Sequence, residues 1–309
     1  MDSTLVIGAG LSGLYLAREL SRRGLEVRLV ETRERAGGIS LIDPEAKGIV
    51  ERLTSQLEVE TGKTVVRAAG RLLILSSEGA EEVRGGIVAT GFRSKSAAEM
   101  GIWGDRPAGV FHFRSALDLL LEGFKIGERV VAYGANRYSV LLAERLLESS
   151  REVYLLDPAL PPQLEVPPEV KAMRAKVRYV KGRGRLSKLV LDVGELEADA
   201  LVLSSFEPWN PFPELLPVGH AAIEVYEPRA LMESAEIFVE NLLCEGSYVE
   251  LSVRGELAIF PTPLKSCARR FMVVMREGRA IVNGSPYEVR GHLTLPLPPG
   301  TSRVEVREA

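Results

Sequence analysis

Residues 4–38, TLVIGAGLSGLYLARELSRRGLEVRLVETRERAGG, decide the fold of this chain. The apolar run at residues 5–7 predicts a short strand that is buried on both faces. Residues 14–22 carry apolar side chains at helical spacing, and residues 25–30 predict a second strand that ends at Glu31. The stretch therefore predicts a strand, a turn, a helix and a strand closed by an acid, in one unit of about thirty residues.

The turn between the first strand and the helix has the pattern G-x-G-x-x-G. Its six residues are Gly8, Ala9, Gly10, Leu11, Ser12 and Gly13. Gly8 permits a tight turn, Gly10 leaves room for a pyrophosphate, and Gly13 lets the helix pack close to the sheet. The helix N-terminus offers free N–H groups to phosphates, and Glu31 accepts hydrogen bonds from a ribose diol. This pattern predicts a site for a dinucleotide whose ribose is not phosphorylated.

The next residues favour FAD over NAD. Residues 31–38, ETRERAGG, resemble the acid-x-x-x-Arg-x-Gly-Gly run of FAD-binding flavoproteins. The resemblance implies that the chain passes close to the pyrophosphate at Gly38 and that Arg35 adds charge-assisted bonds to it. Thr32 belongs to the same candidate site, whereas Arg33 is interpreted as a solvated loop residue.

Composition and charge limit the number of domains and the kinds of partner that this chain can have. The chain has 309 residues, of which 46% are apolar and 26% charged, enough for two or three domains with real cores. A net charge of −3 argues against a nucleic-acid partner. The first strand leaves no room for a signal peptide, and no apolar run is long enough for an integral membrane segment. We expect a cytoplasmic protein with a small-molecule substrate. Its six amide side chains hint at a thermophilic source.

Cys244 and Cys267 are the only cysteines, and they lie far apart in the sequence. No C-x-x-C pattern or metal-ligand spacing is present, so no metal site is predicted. The sequence favours two small buried apolar residues over a disulfide.

Two later stretches extend the family resemblance. Residues 86–91, GIVATG, resemble the ATG motif at which two-dinucleotide-domain flavoproteins leave the FAD domain, which implies FAD contacts at Thr90 and Gly91. Residues 104–121 resemble the linker of amine- and imino-acid-oxidising flavoprotein subunits, such as the sarcosine oxidase α-subunit, hydrogen cyanide synthase and dye-linked L-proline dehydrogenase.

The linker resemblance implies candidate catalytic residues. It places His112 and Arg114 near the flavin ring, where a cation stabilises an anionic reduced flavin or holds a substrate carboxylate. The alternative for His112 is an ordinary loop or interface histidine. Thioredoxin reductases carry a related linker with a redox C-x-x-C, but here that dithiol is missing.

Residues 128–157 repeat the strand, turn, helix, strand and acid of the opening, and they end at Asp157. In this second turn Gly134 keeps the first glycine position, but Asn136 and Ser139 replace the other two. Two interpretations stay open: weakened NAD(P)H binding, or a retained fold that has lost the nucleotide.

Residues 206–217 are interpreted as the crossing back to the FAD domain. Gly219 and His220 follow, where members of the resembled family have Gly-Asp, whose acid binds the ribityl or phosphate end of the flavin. A histidine still forms hydrogen bonds with a hydroxyl or phosphate. A helix is predicted at residues 230–244. Several short strands follow, including 270–275 and 279–282 with a turn at 277–278, and suggest a surface for a partner subunit or homo-oligomer.

The resemblance implies an α/β fold with two Rossmann-like domains, the second inserted into the first, and a small C-terminal all-β module. The FAD-binding domain covers residues 1–92 and 206–246, the NAD(P)-type domain 93–205, and the β domain 247–309. The leading hypothesis is an FAD-dependent oxidoreductase of amines or imino acids, or a subunit that relays their electrons. The alternatives are an NAD(P)H-dependent flavin reductase and a non-catalytic flavin-binding or scaffold subunit.

Overall fold

The computed structural model describes residues 3–309 and divides them into two compact units. The first contains the residues up to Phe92 together with Pro208–Ala309, and the second contains Arg93–Glu207. The C-terminal β segment thus belongs to the same unit as the opening glycine turn.

Five α-helices and two 3-10 helices are present among these residues. They are α1 Leu11–Arg22, α2 Pro44–Thr54, α3 Phe113–Leu121, α4 Arg137–Leu147 and α5 Pro228–Leu243, with 3-10 turns at Gly38–Ile42 and Gly219–Ala221.

The strands are numbered in chain order. They are β1 Thr4–Ile7, β2 Val27–Val30, β3 Thr64–Ala68, β4 Arg71–Ser76, β5 Gly79–Val83, β6 Ile87–Val88, β7 Phe92–Ser94, β8 Trp103–Gly104, β9 Val110–His112, β10 Arg129–Tyr133, β11 Glu152–Leu156, β12 Lys171–Met173, β13 Val177–Lys181, β14 Lys188–Leu191, β15 Gly194–Glu197, β16 Ala200–Leu203, β17 Phe206–Pro208, β18 Leu216–Pro217, β19 Glu250–Arg254, β20 Ala258–Phe260, β21 Arg270–Val282, β22 Ser285–Pro296 and β23 Arg303–Glu308.

The first unit is built on a parallel sheet in the order β18-β6-β1-β2. Ile7 lies opposite Val30 on one side and Val88 on the other, so three carboxyl ends meet at one edge. Ligands of open parallel sheets bind at this edge, where the strand order reverses. The predicted opening strand, helix and second strand are confirmed. The apolar runs at residues 64–68 and 71–76 also predict two paired strands, and β3 and β4 do pair.

Helix α1 covers this sheet because its apolar side chains repeat on one face. Leu14, Leu16, Ala17 and Leu20 are all almost fully buried, and the helix packs against α5. Arg270 of β21 in turn contacts three carboxylates on α5. These are Glu233 at 3.2 Å, Glu236 at 3.1 Å and Glu240 at 3.1 Å.

Helix α2 corrects one expectation. In the sequence, the Asp43-Pro44 pair predicts a break between elements, but in the structure it starts the helix. The Asp43 carboxylate accepts a hydrogen bond from the Glu45 amide at 3.0 Å, and Pro44 occupies the first helical position. An N-cap aspartate before a proline satisfies orphan N–H groups and fixes a helical φ, so this pair is a start signal.

The second unit repeats the plan of the first. Its main sheet is parallel, in the order β12-β11-β10-β16-β9, with α4 between β10 and β11. A separate sheet, β15-β14-β13-β8, completes the unit. The predicted strand, turn, helix and strand of residues 128–157 are confirmed.

The C-terminal segment is all β, as predicted, but its strands are longer. Residues 270–275 and 279–282 belong to one strand, β21, and the residues of the predicted turn at 277–278 pair with β22, just after a register shift between Met275 and Glu277. The partner strand β22 was not predicted. Asn283 and Gly284, both at positive φ, connect the two strands, as an Asn-Gly hairpin turn requires.

The two cysteines form a disulfide, so the prediction of two separate buried residues is wrong. Cys244 and Cys267 have Cα atoms 5.9 Å apart. Asn241 brings the segments together, because its amide donates to the Pro263 carbonyl at 3.0 Å and accepts from the Lys265 N–H at 2.7 Å. This proximity is tertiary, and spacing in the sequence carries no signal for it.

Among residues 3–309, no helix combines the length and the hydropathy needed to cross a lipid bilayer. Within the same residues, acidic, histidine and cysteine side chains form no group of three suited to a metal ion.

Candidate dinucleotide site

The first glycine of the opening turn joins three strand ends. Gly8 has φ +106° and donates its N–H to the Val30 carbonyl at 2.8 Å. A Cβ on Gly8 would lie 2.6 Å from the Ala89 carbonyl oxygen, just after β6. Only glycine fits here, since both the backbone angle and the space exclude a side chain.

The other two glycines of the turn differ in their surroundings. A Cβ on Gly13 would lie 2.0 Å from the Gly8 carbonyl oxygen, so Gly13 sets the close approach of α1 to β1. A Cβ on Gly10 would meet no described atom within 4 Å. Gly10 is the N-cap of α1, and no side chain of the described residues caps it. The helix thus presents its N-terminal dipole to open space, the arrangement that binds anions.

Glu31 ties the turn to the end of β2. Its two carboxylate oxygens accept the N–H groups of Ala9 at 2.9 Å and of Arg33 at 3.0 Å. Each oxygen has a second lone pair, so the carboxylate can also receive a diol. The neighbouring candidates Thr32 and Arg35 are exposed.

The glycine pair of residues 37–38 lies beside the first turn. Gly37, in the left-handed region, donates its N–H to the Ala9 carbonyl at 2.8 Å. A Cβ on Gly38 would be 3.6 Å from the Gly10 Cα. Sequence reasoning placed Gly38 in the site but did not foresee that Gly37 bonds directly to the phosphate turn.

The segment after β6 borders the same sheet edge. Thr90 is exposed, and its hydroxyl donates to the Trp209 carbonyl at 3.2 Å. Gly91 has φ +91°, and a Cβ there would meet no described atom within 4 Å.

Gly219 lies directly on the first turn of α1. It has φ +59°, and a Cβ there would be 2.1 Å from the Ser12 hydroxyl oxygen. The structure thus brings together residues separated by about two hundred positions. The early glycine turn, residues 37–38 and Gly219 surround one helix N-terminus.

His220 is held by the protein itself. Its Nε2 lies 2.7 Å from the Val225 carbonyl oxygen, which can only accept, so this nitrogen carries the proton. The ring stacks on Phe92 with centroids 3.8 Å apart. Burial lowers the pKa of His220 to about 3, so the ring is neutral at ordinary pH. Phe92 was not a candidate, and only its place after Gly91 hinted at it.

The two candidate catalytic residues lie in the second unit, at the start of α3. His112 is exposed and is the N-cap residue. Arg114 is partly buried and forms an ion pair with Asp118, one helical turn on, at 2.9 Å.

In the second turn, as in the first, an acid accepts two backbone N–H groups. Asp157 accepts the N–H groups of Ala135 and Ala159, both at 2.7 Å. The difference lies at the helix N-terminus, where Asn136 caps α4 and no glycine opens the space.

Comparison with known proteins supports the fold. Residues 6–55 match the model of an NAD(P)-binding Rossmann-like domain. A search of curated protein sequences found no similar sequence.

Solved structures resemble larger parts of the chain. Thioredoxin reductase from T. acidophilum is 18% identical with a TM-score of 0.52, over 73% of this chain and 84% of that one. L-proline dehydrogenase from P. horikoshii is 16% identical with a TM-score of 0.58, over 78% of this chain and 55% of that one. An NAD-dependent persulfide reductase from A. fulgidus is 16% identical with a TM-score of 0.60, over 91% of this chain and 67% of that one. The chain therefore shares the fold of these proteins over 73–91% of its length.

Proposed function

We propose that this protein is an FAD-dependent oxidoreductase whose first unit holds the ADP half of the cofactor. One observation carries the proposal. The N-terminus of α1 has no side-chain cap, a Cβ on Gly10 would face open space, and an acid at the end of β2 stands beside the same turn. These are the three features that a dinucleotide pyrophosphate and an adenosine ribose require.

The residues present fit FAD. The pyrophosphate would rest on the amides of Gly10–Gly13, with Arg35 and Gly38 on its flavin side. Glu31, beside Thr32, would receive the ribose diol. Thr90, Gly91 and Gly219 are proposed for the flavin half, since they line the same sheet edge in the first unit.

The substrate class is proposed from the linker. The run at residues 104–121 resembles that of amine- and imino-acid-oxidising flavoproteins, and a protein of that kind, L-proline dehydrogenase, shares the fold. Bound FAD supplies a hydride acceptor, and the protein supplies orientation and charge. His112 and Arg114 would supply a cation that holds a substrate carboxylate or stabilises an anionic reduced flavin. The chain would work in the cytoplasm without a redox dithiol, alone or with a partner subunit.

A second candidate is a non-catalytic flavin-binding or scaffold subunit. His220 favours it, because a neutral ring bonded to Val225 replaces the acid of the resembled family. Such a ring leaves the ribityl end of a flavin without its usual carboxylate partner.

The visible absorption spectrum of the purified protein tests both. We expect a flavin spectrum, or its appearance after FAD is added to the colourless protein, with binding measured by calorimetry. FMN is the matched control, since it lacks the AMP half and should bind far more weakly. If FAD at saturating concentration does not bind, the proposal is wrong.

Anaerobic bleaching then separates the activities. Under the main proposal a cyclic imino acid or secondary amino acid bleaches the flavin, and NADH does not. Bleaching by NADH or NADPH would instead indicate the flavin reductase. If only dithionite bleaches the flavin, the protein is a non-catalytic flavin-binding or scaffold subunit.

A further inference from the structure

The second unit contains a nucleotide-type turn that its own side chains complete. Gly134 and Asp157 match Gly8 and Glu31 of the first unit. In each unit the acid accepts the N–H of the alanine that follows the glycine, and this alanine lies 22 positions before the acid. The two turns differ at Asn136, which stands where the first unit has Gly10.

Asn136 and Ser139 form a reciprocal cap on α4. The Asn136 carboxamide oxygen accepts the Ser139 N–H at 3.1 Å, and the Ser139 hydroxyl oxygen accepts the Asn136 N–H at 2.8 Å. The same hydroxyl donates to the Asn136 carbonyl at 2.7 Å. Two backbone donors at this helix N-terminus, the N–H groups of Asn136 and Ser139, are therefore bonded to side chains rather than open to a pyrophosphate.

A further bond fixes the orientation of the asparagine. Its Nδ2 donates to the carbonyl of Ser204, after β16, at 2.7 Å. One end of the amide needs a donor and the other an acceptor, so only one orientation satisfies both partners. Ser204 is fully buried, and a Cβ on Gly134 would lie 2.8 Å from its carbonyl carbon. The Asn136 side chain is thus anchored to the sheet rather than free to swing away.

We propose that Asn136 is the residue that excludes a nicotinamide dinucleotide from the second unit. Its carboxamide fills the place of the pyrophosphate and takes the Ser139 N–H, while the Ser139 hydroxyl takes the Asn136 N–H. If the proposed FAD site is correct, it follows that a nicotinamide nucleotide bound in the second unit is not the redox partner of the flavin.

The double variant N136G/S139A tests this inference, because it restores the pattern G-x-G-x-x-A that dinucleotide sites use. Asn136 has φ −153° and ψ 174°, an extended conformation that glycine also adopts. Binding of NADH and NADPH to the full-length chain is followed by nicotinamide fluorescence. We expect no binding to the wild type at about 1 mM, the upper end of ordinary KM values, and binding at least about tenfold tighter in the double variant.

Ser139→Ala alone is the matched control, since it removes one cap partner and leaves the Asn136 amide in place. It should remain unable to bind. The inference is overturned if the wild type binds NADH, if the folded double variant does not, or if Ser139→Ala binds as tightly as the double variant.

A measurement on the wild type covers the case in which the double variant does not fold. Hydrogen exchange at the Asn136 and Ser139 amides should be slow without nucleotide and unchanged by NADH, whereas fast exchange would contradict a closed cap. FAD content is read separately from visible absorbance. Loss of FAD binding would therefore refute the proposed function and leave the closure of the second turn standing.

Discussion

The two glycines of the first turn should fail in opposite ways when they gain a side chain. Gly13→Ala should destabilise the fold, because its Cβ would lie 2.0 Å from a backbone oxygen that cannot move aside. Overpacking of this kind costs roughly 1–3 kcal/mol, and the better helix propensity of alanine returns up to about 1 kcal/mol. We expect a net loss of about 1–2 kcal/mol.

Gly10→Val should leave stability almost unchanged and abolish FAD binding. Gly10 has φ −72° and ψ −179°, and its Cβ would face open space. Valine is a poorer N-cap than glycine, which lowers the free energy of unfolding, but it also lowers the entropy of the unfolded chain, which raises it. The two effects should cancel to within about 1 kcal/mol. A blocked pyrophosphate loses charge-assisted hydrogen bonds worth about 1.5–3 kcal/mol each, so losing two weakens binding at least about 100-fold.

Thermal unfolding and calorimetric titration with FAD separate the two effects. Gly48→Ala in α2 is the control, since its Cβ would also meet no described atom within 4 Å. It should bind FAD normally and gain a little stability. Wild-type FAD affinity in Gly10→Val, or wild-type stability in Gly13→Ala, would refute the assignment of the turn.

Three further expectations concern the first unit. Reducing the disulfide between Cys244 and Cys267, or replacing both with serine, should lower the free energy of unfolding by about 3 kcal/mol for a sequence separation of 23, and equal denaturation midpoints with and without reductant would contradict this. The pKa of His220 is about 3 in the fold and near 6.5 in the unfolded chain, which therefore binds the proton more readily. The free energy of unfolding should decrease as the pH is lowered from about 6.5 to 3, by up to about 1.4 kcal/mol per pH unit. His220→Phe should flatten that slope in urea titrations, and an unchanged slope counts against the buried neutral ring. Arg270→Met should cost only about 1 kcal/mol, since the ion pairs on α5 are partly exposed, and added salt should shrink the difference from the wild type.

The opening unit was predictable because its signals are local. An apolar run, glycines at fixed spacing and an acid after the second strand each act through neighbouring backbone, so strand, turn and helix followed from the sequence. Local rules failed at Asp43-Pro44, where a cap signal was interpreted as a break. They also failed in β21, where two paired strand residues that follow a register shift were interpreted as a turn.

The sequence by itself determined the first turn, its acid and the degraded pattern of the second. It also showed that Asn136 occupies the place of a glycine. Only the tertiary structure decided what that asparagine does, because its partner Ser204 comes from a distant strand. The same holds for Gly219 against Ser12, His220 against Phe92 and the disulfide. Each depends on segments far apart in the chain, and their distances are set by sheet order and helix packing, which residue spacing does not encode.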